Sequence, residues 1–262
     1  MSTDVVIPLG SGSHANDLEL RFALRSLEKH FLDLGRVFIC GCRPDWLQDI
    51  EHLDLPDTNR HNKDANLVGK VLSACKAGVS KLFLRQSDDQ VMLVPCRTED
   101  VKAYHAGDLA DRVGRNSYWE GGWKLRLRAT GHWLRVRGFP TLHYDTHLPM
   151  IYDRDKFVQI MHEFPWKQYE GDRPKKGKWA KVPREVGFTI NTMYCNQAAV
   201  NPAHLGNEKI SLGKGSANWN VPKIRRKLTG RKYLGYDDAG FTPALQQVLY
   251  ELFPTPSRFE KP

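Results

Sequence analysis

Apolar residues fall into short runs separated by polar, glycine-containing stretches. Asp4-Val5-Val6-Ile7-Pro8-Leu9 is one such run, and it ends in Gly10-Ser11-Gly12-Ser13, which predicts a strand and then a loop. Asn16, with Glu19 three residues on, has the form of a capping box, and Leu20, Leu24, Leu27 and Phe31 follow at helical spacing. Val37-Phe38-Ile39-Cys40 predicts a second buried strand, Pro44-Asp45-Trp46-Leu47 a helical turn, and residues 50–55 a weaker third strand. Residues 62–76 read as a helix with Leu67, Val71 and Cys75 on one face. Lys81-Leu82-Phe83-Leu84 predicts a fourth strand ending at Gln86-Ser87-Asp88-Asp89, after which Val91-Met92-Leu93-Val94 resumes extended structure.

Strands alternating with helices of this length imply βαβ units and a parallel sheet. The expected fold is therefore α/β, Rossmann-like, with a mixed but mostly parallel sheet and helices on both faces. Ligands of such sheets bind beyond the carboxyl ends of the strands, and both 10–13 and 87–89 lie at those ends. The second half is less regular. Trp123, Leu127, Thr130 and Leu134 have helical spacing, 167–184 reads as a long basic loop, and 244–253 as an amphipathic helix stopped by Pro254. We divide the chain into a nucleotide- and metal-binding core, 1–160, and a basic extension, 161–262, that completes the same domain and meets the acceptor.

Charge adds a direction to this picture. The net charge is +9, yet residues 1–110 carry 13 Lys and Arg against 16 Asp and Glu, while 111–262 carry 26 against 14. A half with an excess of +12 points to an anionic partner such as nucleic acid, a phosphorylated donor or a membrane surface. No apolar run is long enough to cross a bilayer and the first residues lack a signal-peptide pattern, so the expected location is the cytoplasm. Five cysteines without a CxxC pair read as reduced thiols and not as a disulfide framework or zinc site.

Candidate chemistry starts at Asp88 and Asp89. Adjacent carboxylates repel, and a divalent cation with a taste for hard oxygen ligands, Mg²⁺ or Mn²⁺, removes that penalty. Such a metal can neutralise a diphosphate leaving group. Residues 10–15 fit G-x-G-x-x-G/A, but the helix begins too late and the second strand ends without an acid, so a dinucleotide fingerprint is not supported; nor is a P-loop. Asn62, Lys63 and Asn66 begin a helix whose amino end can receive phosphate oxygens, although Asn62 or Asp64 could equally be a cap. In an extended segment His143, Asp145 and His147 would share a face suited to a metal ligand or a general base. No Gly-x-Ser-x-Gly elbow or HExxH pattern supports a serine hydrolase or zinc protease.

Residues 4–10 and 16–29, Asn62-Lys63-Asp64-Ala65-Asn66, Ser87-Asp88-Asp89 and Tyr144-Asp145-Thr146-His147-Leu148-Pro149 resemble regions of the Stealth family, capsular polysaccharide phosphotransferases with a GT-A-like fold. Residues 252–260 resemble the ending of phage and bacterial glycosyltransferase-like proteins of similar length. The chain departs from the Stealth pattern at Pro8-Leu9-Gly10-Ser11 and at Ser87, which leaves glycosyl and sugar-phosphoryl transfer both open. The resemblance implies a GT-A-like sheet, metal at Asp88, Asp89 and His147, and catalysis by Asp145, His147 and Asp89. It implies a nucleotide-sugar donor held by Arg21, Asn62, Lys63 and Asn66 with its metal-bound diphosphate at Asp88, and the place of Pro8, Leu9 and Gly10 at a strand's carboxyl end adds them as donor-binding candidates. The reading taken forward is a Mn²⁺- or Mg²⁺-dependent transferase using a nucleotide-diphosphate sugar, with a hydroxyl acceptor. Lys175, Lys176, Lys178, Arg225 and Arg226 are the candidates for contact with DNA bearing hydroxymethylated bases. A surface-polysaccharide sugar-phosphate transferase and a non-catalytic nucleic-acid-binding protein are the alternatives.

Overall fold

The structure is a computed structural model, and it describes residues 2–10, 15–59, 63–113, 122–167 and 187–261. In chain order the strands are β1 (Thr3–Leu9), β2 (Leu34–Gly41), β3 (Glu51–Leu53), β4 (Leu82–Arg85), β5 (Gln90–Met92), β6 (Ala103–His105), β7 (Met150–Asp153), β8 (Pro202–His204), β9 (Lys209–Leu212) and β10 (Tyr233–Tyr236). The helices are α1 (Leu18–His30), α2 (Lys63–Lys76), α3 (Leu109–Val113), α4 (Gly122–Val136), α5 (Arg154–Glu163), α6 (Ile190–Gln197), α7 (Val221–Leu228) and α8 (Pro243–Leu252).

The main sheet has the order β3-β2-β1-β4-β7, with only β7 antiparallel to its neighbour. Its central strands are apolar throughout because both faces are covered. Val5, Ile7 and Leu9, with Val37, Ile39 and Leu84, meet Leu20, Leu24 and Leu27 of α1. Val6, Phe38, Cys40 and Phe83 face the other way, onto Val68, Val71 and Ala74 of α2 and Phe157 of α5. The expected mixed, mostly parallel α/β fold with helices on both faces is what the chain adopts.

Two smaller sheets follow. β6 and β8 pair in parallel, and a three-stranded sheet has the order β5-β10-β9, with β10 antiparallel to β5 and parallel to β9. The extended structure expected after Asp89 is thus β5, but it belongs to this second sheet and pairs with a strand some 140 residues later. The carboxyl-terminal part is tied in again at Glu260, which accepts from Arg21 Nη1 at 2.8 Å and from Arg25 Nε and Nη2 at 2.7 Å each.

Several local expectations are corrected. The Asn16–Glu19 capping box does not form. The helix starts at Leu18, and its cap residue, Asp17, makes no side-chain hydrogen bond to it. Asn16 and Asp17 are both left-handed, at φ 53° and 56°, whereas capping needs an extended cap backbone. Arg225 and Arg226 lie on α7, capped by Asn220, whose Oδ1 accepts from Lys223 N, with Pro222 in the first turn. The loop read at 167–184 lies outside the described residues beyond Lys167.

Candidate active site

The acidic pair sits where the chain leaves the main sheet for the small one. Gln86 and Gln90 build the turn: Ser87 N donates to Gln90 Oε1 at 3.0 Å, and Gln86 Nε2 to the Gln90 carbonyl at 2.9 Å. Both glutamines are buried, so the turn is held from beneath and Asp88 and Asp89 are left at the rim. Burial, Asp89, and then Glu19 and Asp17 of the α1 entry push the Asp88 carboxyl up to about 7. Nearby, the buried Tyr236 hydroxyl has no hydrogen-bond partner among the described residues, and burial together with Asp89, Glu19 and Asp88 raises it well above its ordinary value. A crowd of acids around an unsatisfied hydroxyl is an environment that favours a cation.

His147 reaches this rim from 58 residues away: its Nε2 lies 3.0 Å from Asp89 Oδ1. The backbone of His147 is left-handed, at φ 54°, so the chain bends at Thr146–His147 instead of running extended. The expectation that His143, Asp145 and His147 share one extended face is therefore corrected. His143 is buried; its Nδ1 accepts from the Asp145 amide at 3.1 Å and its ring packs 5.6 Å from that of Trp123. Burial lowers the His143 pKa, against the pull of Asp145. Asp145 stays partly exposed and accepts from Trp123 Nε1 at 2.6 Å.

Sequence reasoning missed the cation beside these groups. Lys209 of β9 donates Nζ to the Thr146 carbonyl, and burial lowers it to about 8 although Asp145 and Asp89 favour its charge. Among the described residues no three His, Cys, Asp or Glu side chains gather at metal-ligand spacing. Of the expected set of Asp88, Asp89 and His147, the structure brings Asp89 and His147 into contact, with Asp88 next in the chain.

The residues expected to hold a donor divide. Pro8 and Leu9 are buried in β1, and Gly10 is exposed just beyond it. The Leu9 carbonyl accepts from Lys70 Nζ at 2.7 Å, and the same Nζ pairs with Asp57 Oδ1 at 2.6 Å. Gly41 makes this approach possible, since a Cβ there would lie 1.8 Å from the Leu9 oxygen. Lys70 is itself buried, and it lines a cleft of about 850 Å³ with Leu55, Asn59, Asn66 and Trp166, a size that suits a small molecule. The Asn66 amide is spent on both backbone groups of Asn59 and so shapes that cleft. Lys63 is exposed at the start of α2, and Asn62 lies outside the described residues.

Two expectations are redirected. Arg21 is engaged by Glu260 and lies 4.0 Å above the Trp46 ring, a structural use in place of a donor contact. Asp64 is no cap: it is buried, accepts from Arg126 Nη1 and the Ile190 amide, and joins α2 to α4 and α6. Burial pushes Asp64 up to about 6 against the opposing pull of Arg126. Of the basic residues, Arg225 pairs with Glu251, Arg226 is exposed, and Lys175, Lys176 and Lys178 lie outside the described residues.

Fold and site together define a Rossmann-like α/β protein with an acid–imidazole pair and a buried lysine at the carboxyl edge of its sheet. No family model and no curated protein matches the chain. Among solved structures it is similar to the glycosyltransferase GlyE of Streptococcus pneumoniae TIGR4, with TM-score 0.45 and 11% identity over 97% of this chain. The apo form of GlyE gives TM-score 0.43, also at 11% identity and 97% coverage. This chain spans 61% of the length of those chains. Among the described residues no helix is long and apolar enough to cross a membrane.

Proposed function

We propose that this protein moves a sugar from a nucleotide-diphosphate sugar, a uridine-diphosphate sugar in the first instance, to a hydroxyl acceptor, with a divalent cation at Asp88, Asp89 and His147. The observation that carries this reading is the Asp89–His147 contact at the carboxyl edge of a parallel sheet, made by a left-handed His147. Non-glycine residues held in that backbone region concentrate at working sites. Two carboxylates and an imidazole suit Mn²⁺ or Mg²⁺, and such ions commonly complete their shell with substrate phosphates. When bound there, the ion would supply charge to offset the diphosphate leaving group.

The remaining roles belong to the chain. Leu9 and Gly10 border the donor, with Lys70 setting the shape of the β1 end and Asn66 that of the adjoining cleft. Asp145, oriented by Trp123 Nε1, is the carboxylate that would take the acceptor hydroxyl's proton. Lys209 supplies a positive charge that interacts with Asp145 and Asp89.

Incubation with Mn²⁺, a panel of nucleotide sugars and either hydroxymethylated DNA or glycan, read by mass spectrometry, tests the assignment. A product that disappears with EDTA and in Asp89→Ala, by on the order of 10³-fold, is expected. Full activity in both would remove it. A product one phosphate heavier would instead mark sugar-1-phosphate transfer.

The acceptor is proposed to be DNA because α7 presents exposed Arg226 and Lys227, with Lys223 in its first turn. Phosphate contacts make binding fall steeply with salt, so DNA affinity should drop by orders of magnitude between about 50 and 200 mM. A flat dependence removes DNA as the acceptor, while DNA binding without any turnover of nucleotide sugars would favour the non-catalytic binding protein.

A further inference from the structure

The Asp89–His147 pair is gripped on both sides by the small sheet. Tyr236 N of β10 donates to the Asp89 carbonyl at 3.2 Å. One residue earlier, Gly235 leaves room for the imidazole: a Cβ there would lie 2.9 Å from His147 Nδ1, 3.5 Å from its Cε1 and 3.5 Å from Lys209 Cε. On the parallel neighbour β9, Lys209 brings its Cε to the same space over Gly235 and its Nζ to the carbonyl of Thr146, the peptide that opens the left-handed turn. A left-handed backbone is unfavourable for histidine and persists only where surrounding contacts over-determine it. Here those contacts are a glycine floor, a carboxylate in front and an ammonium behind.

We propose that Lys209 is a positioning residue, which holds the Thr146 carbonyl so that the His147 ring stays seated on Gly235 and aimed at Asp89. The proposal rests on the reading of Asp89 and His147 as the working pair, and extends it to a strand outside the main sheet. Without the ammonium, the Thr146 carbonyl loses its donor and the acids at Asp89 and Asp145 lose a cation that they interact with, so the turn relaxes toward ordinary extended backbone and the ring swings off Asp89.

The test is nuclear magnetic resonance on the full chain with ¹³C-labelled histidine, where His147→Ala identifies the His147 signal among the ten histidines. In the native chain the His147 ring should show a nuclear Overhauser contact to the Gly235 α-protons. Lys209→Met keeps the stem and removes both charge and donor. It should lose that contact and move the His147 signal, leaving the other histidines outside this turn in place. Lys209→Arg, which restores a donor and a charge, should recover the contact. If Lys209→Met does not fold, Lys209→Leu, which likewise lacks donor and charge, carries the same expected loss. A His147–Gly235 contact that survives in the folded variant overturns the proposal. Because this readout needs no turnover, it stands apart from the enzymatic reading, which fails separately if Asp89→Ala transfers sugar at the native rate.

Discussion

The two histidines of the 143–147 segment differ in what they touch, and that difference sets their expected mutant effects. His147 contacts Asp89 at the rim, whereas His143 is buried against Trp123. His147→Ala should lower turnover by about 10²-fold or more with little change in melting temperature. His143→Ala should lower stability by about 1–3 kcal/mol and turnover only mildly. Steady-state kinetics beside thermal melts separate the two. Asp88 gives a second prediction, with a definite sign. Its folded pKa of about 7 stands above the ordinary 3.8, so the fold binds a proton that the unfolded chain has released, and stability falls as pH rises from about 4 to 7. Asp88→Asn should therefore be the more stable protein at pH 8, by on the order of 1–2 kcal/mol after allowance for its partial exposure, with the gap closing toward pH 4. Added Mn²⁺ should raise the melting temperature of the native chain and not of Asp88→Asn. Denaturant titrations at both pH values, with and without Mn²⁺, decide this.

At the scale of elements, α2 shows how a helix can be read correctly and still hide its most consequential residue. Lys70 falls three residues after Leu67 and four before Ala74, so it lies in the apolar stripe, and its buried ammonium spans Leu9 and Asp57. Lys70→Met should cost about 1–3 kcal/mol by orphaning the Leu9 carbonyl, and Lys70→Arg should not rescue it, because a Cβ on Gly41 would already lie 3.1 Å from Nζ. Chemical denaturation of the three proteins checks both statements. A lysine within an apolar stripe was the signal available in the sequence. The main sheet was legible for a simple reason: strands buried on both faces are unbroken apolar runs, as Val5 to Leu9 and Val37 to Cys40 are. The small sheet was not. β9 and β10 have four residues each, β5 has three, and their pairing is non-local, so neither periodicity nor turn chemistry announces it. Asp88, Asp89 and His147 could be picked out by residue type and place, but Lys209 and Gly235 acquire meaning only from that unannounced sheet.

Across the whole molecule, Glu260 fastens the last described residues to α1. Burial would raise its carboxyl, but Arg25, the Ser257 amide and Arg21 outweigh that and hold it down at about 2. A folded pKa below the ordinary 4.5 means the clamp acts fully above about pH 4.5 and is lost as pH falls toward 2. Glu260→Gln should accordingly lower stability by about 2–4 kcal/mol at pH 7, since it leaves the buried Arg25 without its counter-charge, and the difference should vanish near pH 2. Melting curves across that range test it. The small sheet carries a further consequence, in the order of synthesis. A ribosome has delivered Asp88, Asp89, Asp145 and His147 once it has passed residue 147, yet the strand that seats His147 and grips the Asp89 backbone is made nearly 90 residues later. Because segments made first can fold first, the early sheet can form while this corner stays unassembled. A nascent chain would thus hold its reactive side chains apart until β10 has been made, and whatever chemistry they perform would begin only once that strand is in place.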